Sequence, residues 1–170
     1  LVQQIELTGD LLELLSEAAH DLYRARVLTQ EVPELLAQRT YRELSEEEKE
    51  RNRQTVRDIP NKLAYAGYVM RPARSDEAHF DFPDGDREQL AEIEHERWLR
   101  AMLAAGWRFG PETDRSQKVH RLLVPWRKLS ASASSQRYTA DELALLGQEE
   151  LPEEEREKDR ALIDGIPRVL

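Results

Sequence analysis

The sequence predicts a mainly helical protein with only short β segments, assembled from two copies of one module. Three observations predict it. Residues 44–63 (LSEEEKERNRQTVRDIPNKL) align without a gap on residues 151–170 (LPEEEREKDRALIDGIPRVL) at an offset of 107, with nine of twenty positions identical. Upstream, LSEAAHDLYRARVL from Leu15 aligns with LAEIEHERWLRAML from Leu90 at an offset of 75, pairing His20 with His95 and Tyr23 with Trp98. Helix start and stop signals then punctuate both halves. Acidic runs resemble one another cheaply, so the weight falls on Arg53 with Arg160 and on Ile59-Pro60 with Ile166-Pro167.

The first copy covers about residues 8–70 and the second 84–170, joined by the polar, proline-containing stretch 71–83. In the first, Ser45 followed by Glu48 is a capping box, hydroxyl and carboxylate satisfying amides that the helix start leaves open. In the second, the strongest helix runs from about 87 to 105, with Asp86 as its N-cap and Gly106 placed to end it. Residues 107–127 read as loops with one short extended segment at Leu122-Leu123-Val124. Tyr41 to Ser45 align with Trp126 to Ser130 at an offset of 85, so 107 − 85 = 22 residues are inserted in the second copy, over about 130–150. The insertion opens with the low-complexity run SASASS (130–135), expected to be a mobile loop. Thr139 with Glu142 then predicts a short helix over about 140–146, ending at Gly147.

Composition narrows the function. Among 170 residues, 34 are acidic and 25 basic, a formal charge of −9, with 39% apolar and 35% charged. A net acidic chain repels a phosphate backbone, which argues against duplex nucleic acid as a partner. No stretch approaches the roughly 20 apolar residues of a membrane helix. The absence of cysteine excludes disulfides and thiolate metal sites and fits a reducing, cytoplasmic setting. Because the chain begins at Leu1, a fragment of something larger is expected. His20, His79, His95 and His120 are too scattered to predict a metal centre, and no cofactor is expected. Neither a G-x-x-x-x-G-K-[ST] phosphate loop nor a G-x-S-x-G nucleophile elbow occurs, and no acid or base stands out as catalytic, so the expectation is a non-enzyme.

What remains is a polar and aromatic concentration in the second copy. On a helical wheel Glu94 and Arg97 fall inside the apolar stripe of Leu90, Ile93, Ala101 and Ala105, where the first copy has Ala19 and Leu22. Burying charge is costly unless it is paired, so the two either form a structural salt bridge or mark a core opened into a polar pocket. All three tryptophans, Trp98, Trp107 and Trp126, lie within 29 residues, beside Arg108, Arg115, Lys118, His120, Arg121 and Arg127. Flat apolar rings beside guanidinium groups suit a base and its phosphates; the same rings also suit a plain core. His20 and His95 recur in register and are expected to be structural, each hydrogen-bonded within its own copy.

The second copy resembles the ryanodine receptor repeat domain. The resemblance is carried by His95 to Trp98 (HERW), Gly106 to Pro111 (GWRFGP), Asp114, His120, Leu123 to Trp126 (LVPW), Leu129 and the closing Glu157 to Arg160 (EKDR). It departs from the family at Arg121, often proline, and at the insertion that separates LVPW from the acidic helix. The first copy keeps His20, Tyr23, Tyr41 to Leu44 and the EKERNR helix but lacks the GW-x-x-GP loop.

This resemblance implies two repeats, the first degenerate, packed about an approximate two-fold axis, and no catalysis. It further implies a bacterial or phage-type sensing module attached to an effector or transport protein, with a nucleotide-derived ligand. Trp107 or Trp126 is then expected to stack the base, with Trp98 beside them. Arg97, Arg121 and Lys118 are expected to meet phosphate, and Glu94 or Asp159 to accept from ribose or base. The rival expectation is an assembly module whose exposed insertion docks a partner.

Overall fold

The computed structural model describes residues 7–27, 37–70 and 80–169. His79 and most of the joining stretch lie outside them. The described elements are α1 (Gly9–Val27), a single 3-10 turn (Tyr41–Glu43), α2 (Glu46–Arg57), α3 (Ile59–Tyr65), α4 (Asp84–Ala104), β1 (Arg108–Phe109), β2 (Val119–His120), α5 (Ala131–Arg137), α6 (Ala140–Leu145) and α7 (Glu153–Val169). The protein is mainly helical with one small sheet, in which β1 and β2 pair in parallel, Arg108 opposite Val119 and Phe109 opposite His120. The chain divides into two compact units, residues 1–90 with 160–170, and residues 91–159.

In the first unit α1 packs on α2, burying Leu12, Leu15, Tyr41, Leu44 and Val56. The capping box at α2 is formed as expected: the Glu48 amide donates to Ser45 Oγ, and the Ser45 amide to Glu48 Oε2. Pro60 stands in the first turn of α3, where a missing N–H costs nothing. Leu22 of α1 lies so close to α7 that a Cβ on Gly165 would sit 3.3 Å from its Cδ1. Tyr68, Phe80 and Phe82 meet edge to face.

Two ion pairs of this unit fall at equivalent places in the alignment. Arg53 holds Glu13 through two donors, and Arg160 Nε donates to Glu88 Oε2 at 2.6 Å. Arg53 and Arg160 are 107 apart, and Glu13 and Glu88 are 75 apart, the same offsets that align the two halves.

The second unit buries Leu99, Met102, Leu103, Trp107, Leu123, Tyr138 and Leu146 together. Three local expectations change, the first of them in the first unit. Asp86 is not the N-cap of α4: that helix starts at Asp84, the Pro83 carbonyl accepts from the Arg87 amide, and Asp86 in the first turn takes the Tyr68 hydroxyl. The extended residues are 108–109 and 119–120 rather than 122–124, because the loop between them folds back through Asp114, whose carboxylate accepts the Ser116 and Gln117 amides. SASASS is a helix, not a loop: Ser130 Oγ caps the Ala133 amide, and the alanines that follow favour α5.

The short helix after Thr139 is present with its capping box, as α6. Gly106 ends α4 with φ +81°, the left-handed conformation glycine adopts without penalty. Gly147 serves differently. A Cβ there would sit 2.7 Å from both Phe109 and Val124, so the residue is small because two side chains press on it. The insertion over 130–150 is therefore not a simple exposed appendage, since Tyr138 and Leu146 belong to the core.

Candidate functional site

Polar residues of α4, α7 and the segment after β2 gather in the second unit as a candidate site. Glu94 is 3% exposed and His95 4%. Glu94 is paired by its own helix: Arg97 Nε donates to Glu94 Oε2 at 2.9 Å and Arg97 Nη2 to Glu94 Oε1 at 2.7 Å. A fork of this kind fixes the guanidinium plane as well as neutralising the acid. The expected i, i+3 pairing is thus present, on the buried side of α4.

His95 is held at both ring nitrogens. Its Nε2 lies 2.8 Å from the Val124 carbonyl, and Nδ1 lies 3.3 Å from Asp159 Oδ2. The rings of Trp98 and Trp126 stand 5.6 and 5.8 Å from it, centre to centre. The first half repeats the outline: His20 Nε2 lies 2.9 Å from the Arg39 carbonyl, with Tyr23 and Tyr41 at 6.0 and 6.2 Å. Residues 39 and 124 differ by 85, as do Tyr41 and Trp126. Both histidines contact a backbone carbonyl within their own half, as their recurrence implied.

Several groups act on the Asp159 carboxyl. Burial pushes its carboxyl above the usual range, the His95 contact pulls it down, and the carboxylates of Glu94 and Glu155 push it up again. Glu155, 6% exposed, is held by Arg121 Nη2 at 3.2 Å and Lys158 Nζ at 2.9 Å. Glu94, Glu155 and Asp159 therefore lie within electrostatic reach of one another, the first held by Arg97, the second by Arg121 and Lys158, and the third meeting His95.

The remaining expected residues are placed as follows. Trp107 is a member of the core cluster, 7% exposed, and Trp126 is 2% exposed with the Arg156 guanidinium 5.7 Å over its ring. Neither offers a free face for a base as it stands, because apolar burial has claimed both rings. Trp98 is half-buried and meets His120 edge to face at 5.1 Å. His120 also meets Trp107, and its Nδ1 accepts from the Leu122 amide at 3.1 Å. Lys118 is turned to another task, its Nζ donating to the Ala105 carbonyl at 2.8 Å and closing the end of α4. Of the expected set, Glu94, Arg97, Arg121 and Asp159 converge, Trp98 and Trp126 flank them through His95, and Trp107 and Lys118 do not join.

Sequence reasoning missed Glu155 and the reach of Tyr138. Glu155 aligns with Glu48, which also binds an arginine, Arg39 at 2.6 Å, so the internal alignment held the signal. Tyr138 donates its hydroxyl to Glu96 at 2.5 Å, a contact no local pattern announces.

Residues 84–146 match the family model of the RyR domain, the ryanodine receptor repeat to which the HERW, GWRFGP and LVPW motifs point. The match takes in α4, the strand pair, α5 and α6, and ends before α7. It thus includes most of the segment read as an insertion. No curated protein matches the chain.

Proposed function

We propose that the RyR-type half of this chain is a non-catalytic sensing module that binds a nucleotide or nucleotide-derived small molecule at the cluster of Glu94, Arg97, Arg121, Glu155, Lys158 and Asp159. The first half is its degenerate copy, and the whole is the cytoplasmic, regulatory part of a larger bacterial protein, fused to or working with an effector or transport partner.

The observation that carries the reading is the Glu94–Arg97 fork. A buried ion pair can cost more to desolvate than it returns and is often matched or beaten by apolar residues. The aligned positions hold apolar residues, Ala19 and Leu22. Keeping charge at this point is explained by use: a flat, oriented guanidinium suits a phosphate or carboxylate, and Glu94 suits a donor on a ribose or base. Arg121, 53% exposed at its side chain, and Lys158, 32% exposed, supply a cationic rim within reach of solvent. With Trp107 and Trp126 buried, Trp98 is the ring left to stack a base.

A thermal-shift series with mono-, di- and cyclic nucleotides tests the proposal. A ligand at a hundred times its dissociation constant adds about 2.7 kcal/mol of stability. Arg121→Ala is the informative variant, because that exposed side chain can be removed with little effect on the fold. Stabilisation by one nucleotide class, lost in Arg121→Ala, supports the reading; no stabilisation by any class, or stabilisation indifferent to Arg121 and Arg97, overturns it.

A further inference from the structure

Both ring nitrogens of His95 face groups whose acceptor oxygens need a hydrogen. A carbonyl oxygen only accepts, so the 2.8 Å contact with Val124 requires the proton on Nε2. Nδ1 then meets Asp159 Oδ2 at 3.3 Å. A bare nitrogen opposite a bare carboxylate is repulsive, so that contact needs a second proton, on Nδ1 or on the carboxyl oxygen. His95 is 4% exposed and the Asp159 side chain 24%, so solvent reaches the carboxylate from outside while the ring nitrogen meets it across the direct 3.3 Å contact.

We infer that His95 and Asp159 hold one proton between them, and that gain and loss of this proton sets the charge of the proposed binding cluster. The inference rests on the reading above for its consequence, though not for its geometry. The groups facing the pair are Glu94 on α4, paired with Arg97; Glu155 on α7, paired with Lys158; and Arg121, which reaches Glu155 from the 121–126 segment. The shared proton makes this group of side chains one charge more positive than it is once the proton leaves.

The first half lacks this device. The position aligned with Asp159 is Asn52, whose amide donates to the Glu48 carbonyl. The burial that pushes Asp159 upward, reinforced by Glu94 and Glu155, acts in the same sense, keeping a proton in the pair to higher pH than an exposed aspartate keeps its own. An anionic ligand is therefore favoured in the protonated cluster, and its affinity falls as pH rises through the pair's transition.

Nitrogen and carboxyl-carbon NMR of the intact chain, recorded from about pH 5 to about pH 9, tests this without any ligand. The expected result is one common transition in the His95 ring and the Asp159 carboxyl, marking a proton shared below it and absent above. In Asp159→Asn the side-chain amide can itself donate to Nδ1, so the His95 transition should be lost while His20 is unchanged. A His95 ring that carries one proton opposite an ionised Asp159 over the whole range overturns the inference, as does a transition that survives in Asp159→Asn. Because the spectra need no nucleotide, failure of the thermal-shift series would overturn the binding proposal and leave this pair standing. Where a nucleotide binds, its affinity in the wild type should fall by several-fold across the transition and stay level in Asp159→Asn.

Discussion

Arg97 forks onto Glu94 from a helix face where the aligned residues of the first half are Leu22 and Ala19. Removing one partner strands the other. Arg97→Ala takes both donors of the fork from the buried Glu94 and should cost about 3–5 kcal/mol in chemical denaturation. The double variant Glu94→Ala with Arg97→Leu restores the first half's residues and should recover most of that loss, or exceed the wild type by about 1 kcal/mol or more. A double variant as unstable as the single one would mean that the pair is needed for packing.

The capping box of α2 makes the first unit sensitive to acid. Burial alone would raise the Glu48 carboxyl; the Arg39 hydrogen bond and the contacts with Ser45 outweigh it and bring it from 4.5 down to about 2. A depressed folded-state value means that the stabilisation is complete above the unfolded-state value and is lost as pH falls from there towards about 2. Urea midpoints measured down this range should fall more steeply for the wild type than for Glu48→Gln, which should start lower at neutral pH.

Gly147 and Gly106 should both resist substitution, for different reasons. Gly147→Ala drives a methyl against Phe109 and Val124 and should cost about 1–3 kcal/mol by overpacking. Around Gly106 the nearest atom to an added Cβ is Lys118 Nζ at 3.9 Å, so Gly106→Ala meets only the strain of φ +81°, about 1 kcal/mol. Gly106→Asn, which tolerates that conformation, should recover part of the loss, whereas no small polar substitution should rescue position 147.

Tyr138 ties the 130–150 segment to the core by both its ring and its hydroxyl. Tyr138→Ala should cost about 3–5 kcal/mol, and Tyr138→Phe about 1 kcal/mol for the contact with Glu96. An equal cost for both would place the stability in the hydroxyl alone.

Much of this architecture was legible because the signals are local. Capping boxes at Ser45 and Thr139 and the glycine stop at 106 depend on residues within one turn of each other, and the structure has all three. The Glu94–Arg97 pair was legible for the same reason, both residues lying on one helix face. SASASS hides its helix behind low complexity, although its own chemistry is a serine cap followed by alanines. The strand pair was illegible in principle: two residues per strand give no periodicity, and their register is set by the loop between them. At the site, Trp107 and Trp126 looked the same in sequence whether packed or open, and burial decided. Asp159 was visible as a candidate, but its meeting with His95 spans 64 positions and depended on how α7 returns along α4.

After α6 the chain runs back beside the LVPW segment, the Gly147 amide donating to the Leu123 carbonyl and the Leu151 amide to that of Pro125, with Leu146 and Leu151 buried at either end. Only Gln148, Glu149 and Glu150 between them are exposed. A protease that clips this stretch should give two fragments that co-elute under native conditions and separate only in denaturant, so that scission of the covalent thread need not release the terminal piece bearing Glu155 and Asp159.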